Sequence, residues 1–250
     1  MKIAICGALG KMGAKVREYA KNSGVETAFG VDVKRAETDG VKVYDGFDGI
    51  TEKADVIIDF SSKTTLIPLL DYCVKTKTNA VLCSTGYDGN DIKAINSAAE
   101  KIAVFRSANM SLGVNVLIET VKFLTERLAD FDIEIIEAHH HNKIDAPSGT
   151  AIMIKDGIKE VLPDSTETYG RKGLVGARDK KEIGIHSVRG GTIVGDHTVL
   201  FAGTNESISI THRAESREVF AAGAIGAAKY LRDKKSGLFD MKNLIAETLK

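Results

Sequence analysis

The chain has 250 residues, 43% of them apolar and 27% charged, with 34 basic and 34 acidic side chains. That length supports one large domain or two modest ones with a proper core, and the formal net charge of zero gives no global field to draw nucleic acid or a membrane surface. No apolar run approaches the roughly 18 residues of a membrane helix, and the first apolar stretch is too short and too strand-like for a secretory signal. Cys6, Cys73 and Cys83 show neither a paired nor a metal-type spacing. The expectation is a cytoplasmic protein with reduced thiols.

Lys2 to Cys6 reads as a buried strand that meets glycine at Gly7, and Lys11 to Ser23 has helical spacing, with Met12, Val16 and Tyr19 or Ala20 on one face. Further strands are expected over Glu26–Val31, Ala54–Asp59, Asn79–Ser84 and Ile102–Arg106, with helices over Leu66–Val74 and Asp88–Lys101 between them. Strands alternating with helices of this length imply βαβ units and a doubly wound parallel sheet. The rhythm then changes. A helix is expected from Gly113 to Leu128, a strand over Ile133–Glu137 ending at the histidines, and a helix from Ser148 to Val161. Strand-like runs follow at Glu182–Arg189, Thr192–Val194, His197–Phe201 and Ser207–His212, none with a crossover-length helix after it. This half is expected to be a mixed or antiparallel sheet with helices on one face. Glu215 to Leu231 returns to a helix rich in Ala and Gly.

Gly7, Gly10 and Gly13 fall between a strand and a helix, where glycines permit a tight turn and close approach of the backbone to a pyrophosphate. Asp32 ends the second strand, at the distance where an acidic residue accepts hydrogen bonds from the adenine ribose. It would also repel a 2′-phosphate, while Lys11, Lys34 and Arg35 lie near enough in sequence to offset that. A glycine-rich turn that binds nothing is the plain alternative.

Glu137-Ala-His-His-His-Asn-Lys-Ile-Asp-Ala-Pro-Ser-Gly-Thr-Ala151 is the second signal. Strand alternation would put His139 and His141 on one face and His140 on the other. Histidine can deliver a proton near neutral pH, and Lys143 supplies a cation for a carboxylate. Ser148 is a good helix N-cap, so Gly149 and Thr150 would present backbone N–H groups at the positive end of a helix. A zinc site would need different spacing. A solvated polar loop before an ordinary helix is the other reading.

These residues resemble the signature of the 4-hydroxy-tetrahydrodipicolinate (dihydrodipicolinate) reductase family. So do Gly7-Ala-x-Gly-x-Met-Gly13, Asp59-Phe-Ser61, Ser84-Thr-Gly86, Asn115-Val116, Gly195-Asp-His-Thr198, Ile210-Thr-His212 and Ser236-Gly-Leu-Phe-Asp240. The resemblance implies an α/β architecture: a Rossmann-like doubly wound parallel sheet domain over residues 1–109 and 216–250, and an α+β substrate and tetramerisation domain with a mixed sheet over 110–215. It implies NADH or NADPH as cofactor, a dicarboxylate substrate in lysine and diaminopimelate biosynthesis, and a homotetramer that binds neither nucleic acid nor membrane. By the same resemblance His139 is the proton donor, Lys143 a catalytic and substrate-binding group, and His140, Ser148, Gly149 and Thr150 hold the substrate carboxylates. Gly7, Ala8, Leu9, Gly10, Lys11 and Met12 would cradle the pyrophosphate and Asp32 the ribose. Cys83, Ser84, Thr85 and the Ser107-Ala108-Asn109-Met110 turn would lie along the nicotinamide half, and no residue is assigned to a metal.

Lys11 stands where the family often has arginine, and Val33 follows Asp32 where some members carry arginine; both weigh against a strong NADPH preference. The segment 170–181, with Arg171, Lys172, Arg178, Lys180 and Lys181, reads as a solvated flexible loop, with closure over substrate as the alternative. Two rivals stay open: a semialdehyde or amino-acid dehydrogenase of similar build, which would need a catalytic cysteine, with Cys83 the only loop-adjacent candidate, or a different lysine–aspartate pair; and a dinucleotide-sensing regulator without chemistry.

Overall fold

A computed structural model describes residues 1–248. The chain forms two compact units, one made of residues 1–112 with the chain from Arg217 onward, the other of Gly113–Ser216. In chain order the first unit opens with β1 (Lys2–Cys6), α1 (Lys11–Asn22), β2 (Glu26–Val31), β3 (Ala36–Thr38), β4 (Val41–Tyr44) and β5 (Val56–Asp59). It continues with α2 (Leu66–Thr76), β6 (Asn79–Leu82), α3 (Gly89–Ala99) and β7 (Ala103–Arg106). Then come α4 (Leu112–Arg127), β8 (Asp132–His139), α5 (Gly149–Val161), β9 (Thr166–Tyr169), β10 (Glu182–Arg189), β11 (Gly195–Gly203) and β12 (Glu206–Ala214). The chain returns to the first unit with α6 (Glu218–Leu231), β13 (Gly237–Phe239) and α7 (Met241–Thr248).

The first sheet runs β13-β7-β6-β5-β1-β2-β4-β3, parallel throughout except for β3, which pairs antiparallel with β4. Helices cover it, so its central strands read as continuous apolar runs: every residue of β5 and β6 is buried. On α1 the buried residues Gly13, Val16 and Ala20 recur at helical spacing. In α3, Asp88 caps the helix by accepting from Asn90 N at 2.8 Å, and Asp91 returns the bond to Asp88 N at 2.8 Å. The chain leaves β1 toward β2 and β4, then jumps to β5 on the other side of β1. That reversal opens a crevice at the carboxyl ends of β1 and β5, where a doubly wound sheet binds its ligand.

The return segment is held to this sheet by side chains chosen for close approach. A Cβ on Gly223 of α6 would lie 1.7 Å from the Met110 carbonyl oxygen, so only glycine fits there. Asn79, buried at the start of β6, donates to Leu231 O at 2.9 Å and Lys234 O at 3.2 Å and accepts from Ala103 N at 2.9 Å. The short strands β3, β4, β9 and β13 leave no periodic trace in the sequence, because three or four residues are too few to show alternation.

The second unit carries a mixed sheet, β12-β11-β8-β10-β9, in which β8, β10 and β9 are parallel and β11 is antiparallel to both its neighbours. Val114, Leu117, Ile118 and Val121 of α4 and Ile154 and Ile158 of α5 pack in one core with Ile133, Ile135, Val199 and Phe201. No strand forms over Thr192–Val194: Gly191, at φ +50°, turns the chain there, and the apolar run finds no partner strand. The solvated-loop reading of 170–181 also needs correction at its two arginines. Arg171 forks onto both Glu134 oxygens at 2.8 and 3.1 Å, and Arg178 reaches Glu134 Oε1 at 3.1 Å and Asp132 Oδ1 at 2.9 Å. Lys172, Lys180 and Lys181 remain exposed. Among the described residues no helix is long and apolar enough to cross a membrane.

Replacing Asn79 with Ala strands two carbonyls and one amide, so urea unfolding should show a loss of about 1–3 kcal/mol; an unchanged midpoint would refute the clasp. Burial pushes the Glu134 carboxyl up, but Arg171, His186 and Arg178 outweigh it and hold it at about 2. A carboxyl lowered on folding stabilises fully above its unfolded value and loses that contribution as pH falls through the folded one. Stability should therefore drop between about pH 4.5 and 2, and Arg178→Ala should flatten that drop in acid-unfolding curves.

Candidate active site

The crevice of the first unit is built by Gly7, at φ +79°, whose N–H donates to Val31 O at 2.9 Å. A Cβ at Gly7 would sit 2.6 Å from Phe60 O, and one at Gly13 would sit 2.2 Å from Gly7 O. The backbone is thus folded tightly on itself just before α1, and the N-cap Gly10 has no side chain to occupy the first-turn N–H groups. Asp32 points its carboxylate back at this loop, accepting from Leu9 N at 2.7 Å and Val33 N at 2.8 Å. A cavity of about 950 Å³ opens here, lined by Gly7, Leu9, Gly10, Asp32, Lys34, Ser61 and Tyr72 among others. Its size, its acidic residue and its helix N-terminus fit a dinucleotide. Ala8 is buried, and its carbonyl accepts from Arg17. Lys11 is exposed at the helix start, with Met12 half-buried behind it. Arg35 is drawn to Asp45 at 2.9 Å.

The remaining first-unit candidates leave the same edge of the sheet, since β6 and β7 are paired from Ala80↔Val104 to Leu82↔Arg106. Buried Asp59 ties two short motifs together, accepting from Ser61 N at 3.0 Å and from Ser84 Oγ at 2.8 Å. Thr85 and Ala108 are exposed; Ser107 Oγ donates to Asn109 O at 2.7 Å. Met110 is different: its side chain belongs to the apolar core with Ala221 and Ala224. Burial, with the Asp59 charge beside it, pushes the Cys83 thiol well above its ordinary value. That shift disfavours the thiolate a nucleophile needs and so weighs against the Cys83 rival.

In the second unit β8 runs past Glu137 to His139, two residues further than expected. Its buried positions are Ile133, Ile135, Glu137 and His139, so glutamate and histidine continue the apolar face of the strand. The expected alternation of His139 and His141 does not occur, because the strand ends and His141 N turns to donate to Gly191 O at 3.2 Å. His140 is half-buried and His141 exposed. Lys143 pairs with both oxygens of Asp145, at 2.8 and 2.9 Å, and this contact holds the Asp145 carboxyl below its ordinary range.

Glu137 has no exposed surface. One oxygen meets His139 Nδ1 at 2.6 Å and Arg189 Nη1 at 2.8 Å; the other accepts from Arg189 Nη2 at 2.8 Å and Ser148 N at 3.1 Å. Burial raises this carboxyl, but Arg189, Ser187 and His139 outweigh it and hold it at about 2. Ser148 caps α5, its Oγ accepting from Ala151 N at 3.1 Å and meeting His197 Nε2 at 2.8 Å. Gly149 and Thr150 open the first turn of that helix. His197 lies 5.2 Å from His139, ring centre to ring centre, and burial, followed by the His139 charge, lowers it to about 4, so it is neutral near pH 7. Glu137, Arg189 and His197 carry no role in the sequence reading. The signal for Glu137 is its place two residues before His139 on the Ile133–Ile135 alternation; His197 lies in the Gly-Asp-His-Thr motif; Arg189 has no local signal.

Comparison with known proteins agrees in both units. Residues 1–110 match the family model described as dihydrodipicolinate reductase, N-terminus, and residues 113–245 match that for the C-terminus. A 4-hydroxy-tetrahydrodipicolinate reductase of Caldanaerobacter subterraneus subsp. tengcongensis is 48% identical over 98% of both chains. One from Clostridium tetani is 43% identical, over 96% of this chain and 95% of its own. Among solved structures, a dipicolinate-bound dihydrodipicolinate reductase from Paenisporosarcina sp. TG-14 superposes with a TM-score of 0.83, at 24% identity, over 97% of this chain and 98% of its own. Two matched halves and relatives of this identity over nearly the full length place the chain in the dihydrodipicolinate reductase family.

Proposed function

We propose that this chain reduces 4-hydroxy-tetrahydrodipicolinate to tetrahydrodipicolinate, in the diaminopimelate route to lysine, with NADH or NADPH. The observation that carries this reading is the cluster at the end of β8: a histidine, a lysine and the N-terminus of α5 within one short segment. A dianion wants cations and helix-terminal N–H groups. Family membership supplies the reaction, and the dipicolinate bound by the Paenisporosarcina relative is itself a dicarboxylate.

In this reading residues 1–109 and 216–250 bind the nucleotide, and 110–215 bind substrate and form a homotetramer. Exposed Ile136 and Val188 on the second sheet favour such an assembly. The place of work is the cytoplasm. Gly7 to Met12 cradle the pyrophosphate and Asp32 takes the ribose hydroxyls, while Cys83, Ser84, Thr85 and Ser107 to Met110 border the nicotinamide half. For Met110 and Ala8 the contact comes from the backbone, because their side chains are buried. A nicotinamide cofactor, when bound, supplies the hydride. His139 donates the proton, or orients the water that does, and Lys143 grips or polarises the substrate. His140, Ser148, Gly149 and Thr150 hold its carboxylates; the Ser148 hydroxyl already caps α5, so its part is to aim that helix.

The direct test follows NADH and NADPH oxidation in the near ultraviolet, with substrate generated in situ from pyruvate and aspartate semialdehyde by a synthase. Wild-type chain should turn over, and His139→Gln and Lys143→Ala should each lose on the order of 10²-fold or more in kcat. No wild-type turnover with either cofactor, despite cofactor binding, would overturn the reading. Asp32→Asn removes a charged acceptor, so the ratio of kcat/KM for NADH over NADPH should fall by roughly tenfold; an unchanged ratio would take Asp32 out of ribose recognition.

A further inference from the structure

Four donor atoms converge on one carboxylate with no solvent exposure: His139 Nδ1, both Arg189 Nη atoms and Ser148 N. We infer that Glu137 is a positioning residue that holds His139 with its proton on Nδ1 and presents Nε2 for proton delivery, Arg189 locking Glu137 in place. The inference rests on His139 being the proton donor of the proposed reduction.

An ionised carboxylate can only accept, so the 2.6 Å contact from His139 Nδ1 requires a proton on Nδ1. The tautomer is then decided: in the neutral ring Nε2 is bare, and in the imidazolium Nε2–H is the proton free to leave. The neighbouring strand leaves room beside that atom. Gly195, on the strand beside His139, would place a Cβ only 3.0 Å from Nε2 and 3.4 Å from Cδ2, so any larger residue would crowd the donor. His197 packs edge-on against the ring but is occupied by Ser148 at 2.8 Å, and does not compete for Nε2.

Arg189 does more than neutralise Glu137. It lies opposite His139 in the β8–β10 pairing, forks onto both Glu137 oxygens at 2.8 Å, and donates from Nη2 to Asp145 O at 2.7 Å. Asp145 is the ion-pair partner of Lys143. One guanidinium therefore sets the histidine, through Glu137, and the loop that carries the lysine. Ser148 N on the other Glu137 oxygen, at 3.1 Å, adds the start of α5 to the same anchor.

The test reads the tautomer directly. With ring-¹⁵N histidine, and His139→Gln to assign the signal among the six histidines, the neutral His139 ring of the wild-type chain should be the Nδ1–H form. In Glu137→Gln the Nε2–H form should gain, and kcat should fall roughly 10- to 100-fold, as for other orienting partners. KM for cofactor and substrate should stay within about threefold. Arg189→Lys keeps the charge but not the fork, and should lower kcat less while leaving the Nδ1–H form dominant. It and the wild-type spectrum decide the matter if Glu137→Gln does not fold. A wild-type ring in the Nε2–H form, or Glu137→Gln with undiminished kcat, overturns the inference. A wild-type chain with the Nδ1–H ring but no turnover refutes the reductase reading instead, and with it any catalytic use of the arrangement.

Discussion

The second unit is organised around a charge taken wholly out of water. Isolating a carboxylate in a protein interior costs several kcal/mol unless it is paired and fully hydrogen-bonded. Glu137 meets that condition through a forked guanidinium, a backbone amide and an imidazole. Each partner comes from a different part of the unit: β10, the start of α5, and the end of β8 itself. Satisfying one buried charge thus fixes, at once, where the histidine points, where the helix begins and where the lysine-bearing loop is tethered. Removing any one donor leaves the buried carboxylate imperfectly satisfied, at a cost set by its desolvation.

The first unit is built on backbone geometry instead. Its crevice exists because the strand order reverses at β1, and glycine lets the loop after β1 make contacts that a Cβ at Gly7 or Gly13 would forbid. Asp32 is placed by two backbone N–H groups, which leaves its carboxylate aimed at the loop whatever the neighbouring lysines do. Arg35, the cation best suited to a 2′-phosphate, is pulled toward Asp45 instead.

Much of this was legible in the chain itself, and the limits are instructive. Long apolar or amphipathic runs declared β1, β5, β6, α1, α4 and α5, because burial forces a period on ten or more residues or a continuous run on a short one. The glycine spacing and the Pro-Ser-Gly-Thr turn declared both candidate sites, since each needs particular backbone geometry. Short edge strands such as β3 and β13 were silent, being made by pairing with a neighbour and not by their own pattern. The Thr192–Val194 run misled for the complementary reason: it has strand-forming residues, but the glycines before it turn the chain away from any partner. Arg171 and Arg178 look like solvated charges in the sequence, yet each also reaches Glu134, far away in the chain, besides acceptors near Glu182. Arg189 was invisible for the same reason, and Glu137 passed unassigned although strand alternation put it on the side of Ile133 and Ile135.

Everything in the second unit rests on Glu137 being ionised while buried, and that is open to direct measurement. In chain labelled with ¹³C at the glutamate side-chain carboxyl, with Glu137→Gln to identify the signal, the Glu137 resonance should stay at its carboxylate position as pH is lowered to about 4, consistent with a carboxyl held at about 2. A resonance that titrates with a midpoint above about 5 would mean that burial outweighs Arg189, and the account of the site as one anchored by a buried charge would fall.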